Sequence, residues 1–157
     1  MINGDWLNNL IFIAHRANIY GKTDVENTPK QIDYCINNGF DVEIDLWSID
    51  QNLFLGHDYP EHKIDFQFLE DRNKKLWIHC KNESTLFLLQ NHDMNYFWHE
   101  NDDFTLTSKK FIWTYPNKQN ILANNQIILD FNSITKKQIE YYSGRIYGIC
   151  SDDFSFL

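Results

Sequence analysis

His15-Arg16, followed closely by Glu26-Asn27-Thr28, and Glu43-Ile44-Asp45, followed by Gly56-His57-Asp58, concentrate chemistry in the first third of this chain. Imidazoles, carboxylates and a guanidinium are the groups needed to hold a divalent cation and to move protons around a phosphate ester. The segment 40–46 (FDVEIDL) has the alternation of a strand, so Phe40, Val42, Ile44 and Leu46 fall on one face and Asp41, Glu43 and Asp45 on the other. Glu43 and Asp45 therefore project together. Two carboxylates so placed repel each other and favour a bound cation or a proton. A solvated strand face would explain them equally well if the segment were an edge. A parallel strand covered on both faces would not.

Further polar groups fall at strand ends, where α/β folds bind ligands. His15 closes the run 10–14 (LIFIA), and Arg16 follows it. Gly56 permits close backbone approach beside His57, and Asp58 reads either as a partner of that histidine or as a turn residue. In 76–81, which overlaps the strand-like run 75–80 (KLWIHC), His79 and Lys81 share a face, as a ligand and a phosphate contact or as a polar pair without chemistry. His99-Glu100 closes 95–99 (NYFWH) and is a weaker candidate for a ligand or proton relay. Asp130 and Asp152 read as turn or cap residues, and His62 and His92 as surface residues. Trp77, Trp98, Trp113 and Tyr115 read as core, with Trp113 the one that reaches the site.

The elements that must position these groups alternate. Strand-like runs also occupy 111–115, 126–130 and 145–150, with 104–107 as one more. Helices fit 63–71, 82–91 and 134–143. A further one fits 29–38, with Thr28 as N-cap, Pro29 at the first position and Gly39 past the end. Alternating strands and helices predict a parallel α/β sheet. Eight strands in this order predict a compact (β/α)8 TIM-type barrel. Such barrels need about 250 residues, so in a chain of 157 residues several outer helices must be reduced or missing.

The whole chain, 1–157, reads as one domain. It is 43% apolar and carries a net charge of −8 without a basic run, which argues against nucleic acid as partner. Cys35, Cys80 and Cys150 fit no pairing framework and suggest reduced thiols in a cytoplasmic protein. No run is long enough for a membrane span or a signal peptide.

With IAHR at 13–16, ENT at 26–28, GFDVEIDL at 39–46 and GHD at 56–58, the chain resembles the glycerophosphodiester phosphodiesterase family, within the superfamily of phosphatidylinositol phospholipase C-like phosphodiesterases. IHCK at 78–81, WTYP at 113–116 and GICSDD at 148–153 extend the resemblance more weakly. The resemblance implies His15 and His57 as an acid–base pair and Glu43 and Asp45 as metal ligands. Glu26 becomes a ligand or the group directly behind one, and Arg16 and Lys81 hold phosphate. It implies one divalent ion, Mg²⁺, Ca²⁺ or Mn²⁺, and a small-molecule or polymeric phosphodiester substrate. Ala17 stands where the family has glycine, and His79 stands where it has a ligating glutamate, which shifts the preference towards Mn²⁺ or Zn²⁺ or weakens the hold. Only Tyr59 to Lys63 separate His57-Asp58 from the next helix, so the family's helical lobe is missing and the site is expected to be open. The expected activity is hydrolysis to a phosphomonoester and an alcohol. The alternatives are a sphingomyelinase D-like lyase that leaves a cyclic phosphate, and a non-catalytic phosphate- or glycan-binding module.

Overall fold

A computed structural model describes residues 10–157. Ten strands and four helices follow one another in the order β1 (Ile11–Ala14), α1 (Pro29–Asn37), β2 (Asp41–Ile49), β3 (Asn52–Leu55), β4 (His62–Ile64), α2 (Phe66–Arg72), β5 (Leu76–Cys80), α3 (Glu83–Leu89), β6 (Tyr96–Phe97), β7 (Phe104–Leu106), β8 (Ile112–Thr114), β9 (Gln126–Ser133), α4 (Lys136–Tyr142) and β10 (Gly148–Asp153). All ten strands belong to one mixed sheet. Its main path runs β4-β3-β2-β1-β10-β9-β8-β7, and β5 and β6 branch from β2.

This corrects the expected (β/α)8 barrel. Parallel pairing links β6, β5, β2, β1, β10, β9 and β8, but β3, β4 and β7 run antiparallel to their neighbours. The helices are only seven to nine residues long. A parallel crossover needs a dozen or more residues and usually a helix. Between β6 and β8 the chain instead turns back antiparallel through β7, and from β8 to its parallel neighbour β9 residues 115–125 cross over without a helix. No ladder joins β6 to β7 among the described residues. Single bonds, Ser108 N–H to the Tyr96 carbonyl at 2.8 Å and the Thr105 hydroxyl to the Trp98 carbonyl at 2.7 Å, hold these segments together.

The β2–β3 hairpin and β4 lie where the sequence reads as loop and early helix. Ile49 pairs with Asn52 across a two-residue turn, Asp50-Gln51, whose φ values are +48° and +65°. Two positive φ values define the hairpin turn that matches strand twist, normally built from Asn-Gly or Asp-Gly. Gln51 lacks that signature. The helix expected from residue 63 begins at 66, because the Asp65 carboxylate caps Phe68 N–H at 2.8 Å.

The central parallel strands send alternate side chains to two apolar layers. Val42, Ile44, Leu46, Leu55, Ile78 and Ile149 pack with Ile32, Leu69, Leu89 and Ile139 of the helices. Ile13, Trp77, Phe97, Trp113, Ile127, Leu129 and Cys150 form the second layer. Trp77 on β5 and Trp113 on β8 stand five ladders apart, yet their rings are 5.8 Å apart, so the sheet curls tightly around this second layer. No helix among the described residues is long and apolar enough to cross a membrane.

Candidate metal and acid–base centre

Seven parallel strands point their carboxyl ends to one side, and above the second apolar layer a cavity of about 390 Å³ opens there. It is lined by His15, Arg16, Glu43, Asp45, His57, His79, Lys81, His99, Glu100 and Trp113, with Cys80, Phe97, Trp98, Tyr115, Leu129 and Phe131 completing the wall. Ten of the twelve candidate residues from the sequence therefore meet in one place. Glu26 and Asp58 stand behind the lining.

Glu43 and Asp45 are both almost wholly buried and on the same face of β2, as the alternation predicts. Asn27 locks Asp45: its amide donates to Asp45 Oδ2 at 3.0 Å and its carbonyl oxygen accepts Asp45 N–H at 3.0 Å. Arg16 N–H donates to Glu43 Oε2 at 3.0 Å. That bond forms because Arg16 adopts φ +53°, and Ala17 follows at +65°. Two successive non-glycine residues in the left-handed region store strain. The Cys35 thiol and the Gln31 amide, both donating to the Ala17 carbonyl at 3.1 Å, help hold it. The left-handed backbone at Ala17 is thus fastened by surrounding bonds.

His79 stands on β5 in register with Asp45, and its geometry is informative. Nε2 lies 3.0 Å from the His99 carbonyl oxygen, so Nε2 carries the proton and donates. Nδ1 then faces Asp45 Oδ1 at 3.1 Å and Glu43 Oε1 at 3.9 Å. Three electron-rich atoms converge, and only a proton or a cation between them makes that favourable. The ligand atoms of Glu43, Asp45 and His79 all lie within 4.8 Å of one another. Asp45 Oδ1 also has Lys81 Nζ at 3.4 Å, yet no contact reaches it aligned as a hydrogen bond. Two carboxylates and an imidazole whose other nitrogen is held by a carbonyl make a donor set that fits a divalent cation.

The electrostatics agree. Burial raises Glu43 above the usual carboxylate range, with the neighbouring Asp45 charge adding to it against the positive charges of His15, His79 and Arg16. Burial acts on Asp45 in the same direction, but His79, Lys81 and Arg16 outweigh it and hold that carboxyl below its ordinary value.

His15 and His57 each rest on a carboxylate. His15 Nδ1 bonds Asp152 Oδ1 at 2.8 Å, which leaves Nε2 towards the cavity, 3.9 Å from Glu43 Oε2. Asp152 is buried and also accepts from the Asn18 amide at 2.9 Å. Burial disfavours the His15 imidazolium, but the bond to Asp152 and the charges of Glu43 and Asp152 overcome it, and the pKa rises. His57 Nδ1 bonds Asp58 Oδ1 at 2.7 Å. Burial lowers its pKa. The charges of Arg16 and Lys81 act the same way, against the pull of Asp45 and the bond to Asp58. Gly56, at φ +146°, is required here, because a Cβ would meet the Tyr59 carbonyl oxygen at 2.0 Å.

Glu26 joins neither the carboxylate pair nor His79. Its carboxylate accepts from the Asn18 amide at 2.7 Å and faces Arg16 Nη1 at 3.6 Å. Arg16 Nε lies 3.6 Å from Asp45 Oδ2 without a hydrogen-bond partner. His57-Asp58 leads into β4 rather than into a helical lobe or the expected helix. Sequence reasoning took Asp152 for a turn or cap residue and overlooked Asn18. Asp152 ends a strand of the same sheet as His15, and that shared strand-end position was the only available signal.

No protein-family model, no curated protein and no solved structure matches the chain.

Proposed function

We propose that the protein is a metal-assisted phosphodiesterase that converts a glycerophosphodiester-type substrate to a phosphomonoester and an alcohol. The observation that carries this reading is the pair of carboxylate-backed imidazoles, His15 on Asp152 and His57 on Asp58, in one cavity with the converging Glu43, Asp45 and His79 donors. The resemblance of the motifs at 13–16, 26–28, 39–46 and 56–58 supplies the reaction class. Glu43, Asp45 and His79 would hold one divalent cation, with imidazole favouring Mn²⁺ or Zn²⁺. Once bound, such an ion neutralises charge on a phosphate oxygen.

The chain's own groups do the proton work. Arg16 and Lys81, both drawn in by Asp45, offer cationic donors to non-bridging phosphate oxygens. His57, whose surroundings favour the neutral ring, accepts the proton of a substrate hydroxyl as that oxygen attacks phosphorus. His15, whose surroundings favour the charged ring, gives a proton to the departing alkoxide. The alcohol leaves and a cyclic phosphate remains. Neutral His15 then takes a proton from water as the water oxygen attacks phosphorus. His57 returns its proton to the ring oxygen that leaves. The driving-apart of two proton-transfer groups is the usual mark of an acid–base pair.

Phosphorus NMR of glycerophosphodiester turnover tests the reading. Wild-type protein should yield a phosphomonoester. His15→Ala and His57→Ala should each lower turnover by about 10²–10⁴-fold while melting near the wild-type temperature. Full turnover in both variants would overturn the mechanism. A cyclic phosphate as final product would assign a lyase instead.

A further inference from the structure

The cavity has a second half that the proposed chemistry does not use. Lys81 and Arg16, the only lysine and arginine among its described lining residues, stand on the carboxylate side at Asp45. The opposite side is a wall of rings. Phe131 lies 5.0 Å from His15, Tyr115 meets Phe131 edge to face at 5.9 Å, and His99 lies 5.3 Å from Tyr115. Tyr115 and Phe131 are 40% and 37% exposed, so ring surface is open at the mouth. Both ring nitrogens of His99 are buried without a hydrogen-bond partner, 3.8 Å separates Nδ1 from the Asp102 carboxylate, and a turn of the ring would bring a nitrogen to the cavity. A buried polar group without a partner costs stability, so His99 has unused capacity for a donor and an acceptor. Glu100 adds a carboxylate and no cation.

We infer that this wall binds the alcohol half of the diester, and that the alcohol is a sugar ring. The inference rests on phosphate being held at Arg16 and Lys81, as proposed above. A pyranose presents flat C–H faces, which suit the electron-rich face of an aromatic ring. Its hydroxyl edges both donate and accept, which suits His99 and Glu100. A wholly aliphatic alcohol leaves His99 unpaired. A second phosphate meets Glu100 and no cation. Glycerol is too small to cover two rings.

Calorimetry with phosphate monoesters of the competing alcohols, which put each alcohol beside a phosphate held at Arg16 and Lys81, separates these cases. Glucose 1-phosphate, glycerol 3-phosphate and phosphocholine carry the same phosphate on different alcohols. They would be titrated into wild-type protein, Tyr115→Ala and Tyr115→Phe, each with and without Mn²⁺. Glucose 1-phosphate is expected to bind about tenfold more tightly than glycerol 3-phosphate. Tyr115→Ala should erase most of that preference, and Tyr115→Phe should retain it. Tyr115 is partly exposed, so a melting curve near wild type is expected for both variants. Equal binding of the sugar and glycerol phosphates overturns the sugar subsite alone. So does tightest binding of phosphocholine, or an undiminished sugar preference in Tyr115→Ala. Binding of none of the three overturns the phosphate site, and the subsite with it.

Discussion

Asp152 shows how a single carboxylate sets the role of its neighbour. Burial works against a charged His15, and the Asp152 bond is the foremost influence that reverses it. Asp152 is itself held below its usual range, against burial, by the bond and charge of His15 and by Asn18. A pH profile of kcat/KM should therefore be bell-shaped. Its acid limb, where His57 loses its proton as pH rises, should lie below the ordinary imidazole value of about 6.5, and its alkaline limb, where His15 loses its own, above it. Asp152→Asn removes the charge that raises His15, so the alkaline limb should move to lower pH while the acid limb stays. An alkaline limb that does not move would show that His15 is not the acid. The same sign governs stability. A raised His15 contributes stability that is complete below the unfolded histidine pKa and is lost as pH rises through the folded one. His79 is the residue where the sequence signal was hardest to weigh. From the sequence it read either as a ligand that shifts the metal preference or as a weaker hold, and its Nε2 bond to the His99 carbonyl turns Nδ1 towards both carboxylates.

At the scale of elements, the sheet does the positioning. β2 brings Glu43 and Asp45 to one face, and β5 places His79 beside Asp45 in register. β10 places Asp152 within reach of His15, which follows β1 in direct parallel pairing. The shared face of Glu43 and Asp45 was legible because period-two alternation fixes a face once a strand is covered, whereas the pairing of Asp152 with His15 depends on strand order and was not. The β2–β3 hairpin was not legible, because its turn lacks glycine. That turn carries a cost that can be removed: Gln51 at φ +65° is a position where glycine is unstrained. Gln51→Gly should stabilise the protein by about 1 kcal/mol, or roughly 2–4 °C in Tm. The turn is remote from the cavity lining, so turnover should not change. A lower Tm would show that the strain is absent or that Gln51 makes compensating contacts.

At the scale of the whole molecule, the chain keeps a strand-end site and the four helices the sequence led us to expect, but on a mixed ten-stranded sheet in place of a (β/α)8 barrel. The inner layer of Trp77, Phe97 and Trp113 fills the curled sheet beneath the cavity, and four short helices cover only part of the outside. Sequence pattern located the four helices and every strand but β3 and β4, because apolar periods are local. It misjudged the architecture, because whether a chain crosses over or turns back depends on loop length and turn conformation rather than on period. The site survives that error, since its residues depend on the carboxyl ends of the parallel strands and not on a closed ring of helices. A net charge of −8 disfavours an anionic substrate at long range, so the molecule needs concentrated positive charge inside the cavity. Arg16 and Lys81 supply part of it, and each is already drawn towards Asp45. On the proposed reading, the remainder would come from a cation held by Glu43, Asp45 and His79. Calorimetric titration of chelator-treated protein with Mn²⁺, Zn²⁺, Mg²⁺ and Ca²⁺, beside Glu43→Gln, measures this directly. The account expects a single site for Mn²⁺ or Zn²⁺ in the wild type and at least about 10-fold weaker binding in the variant. No binding of any of the four ions, or equal binding by Glu43→Gln, would contradict it.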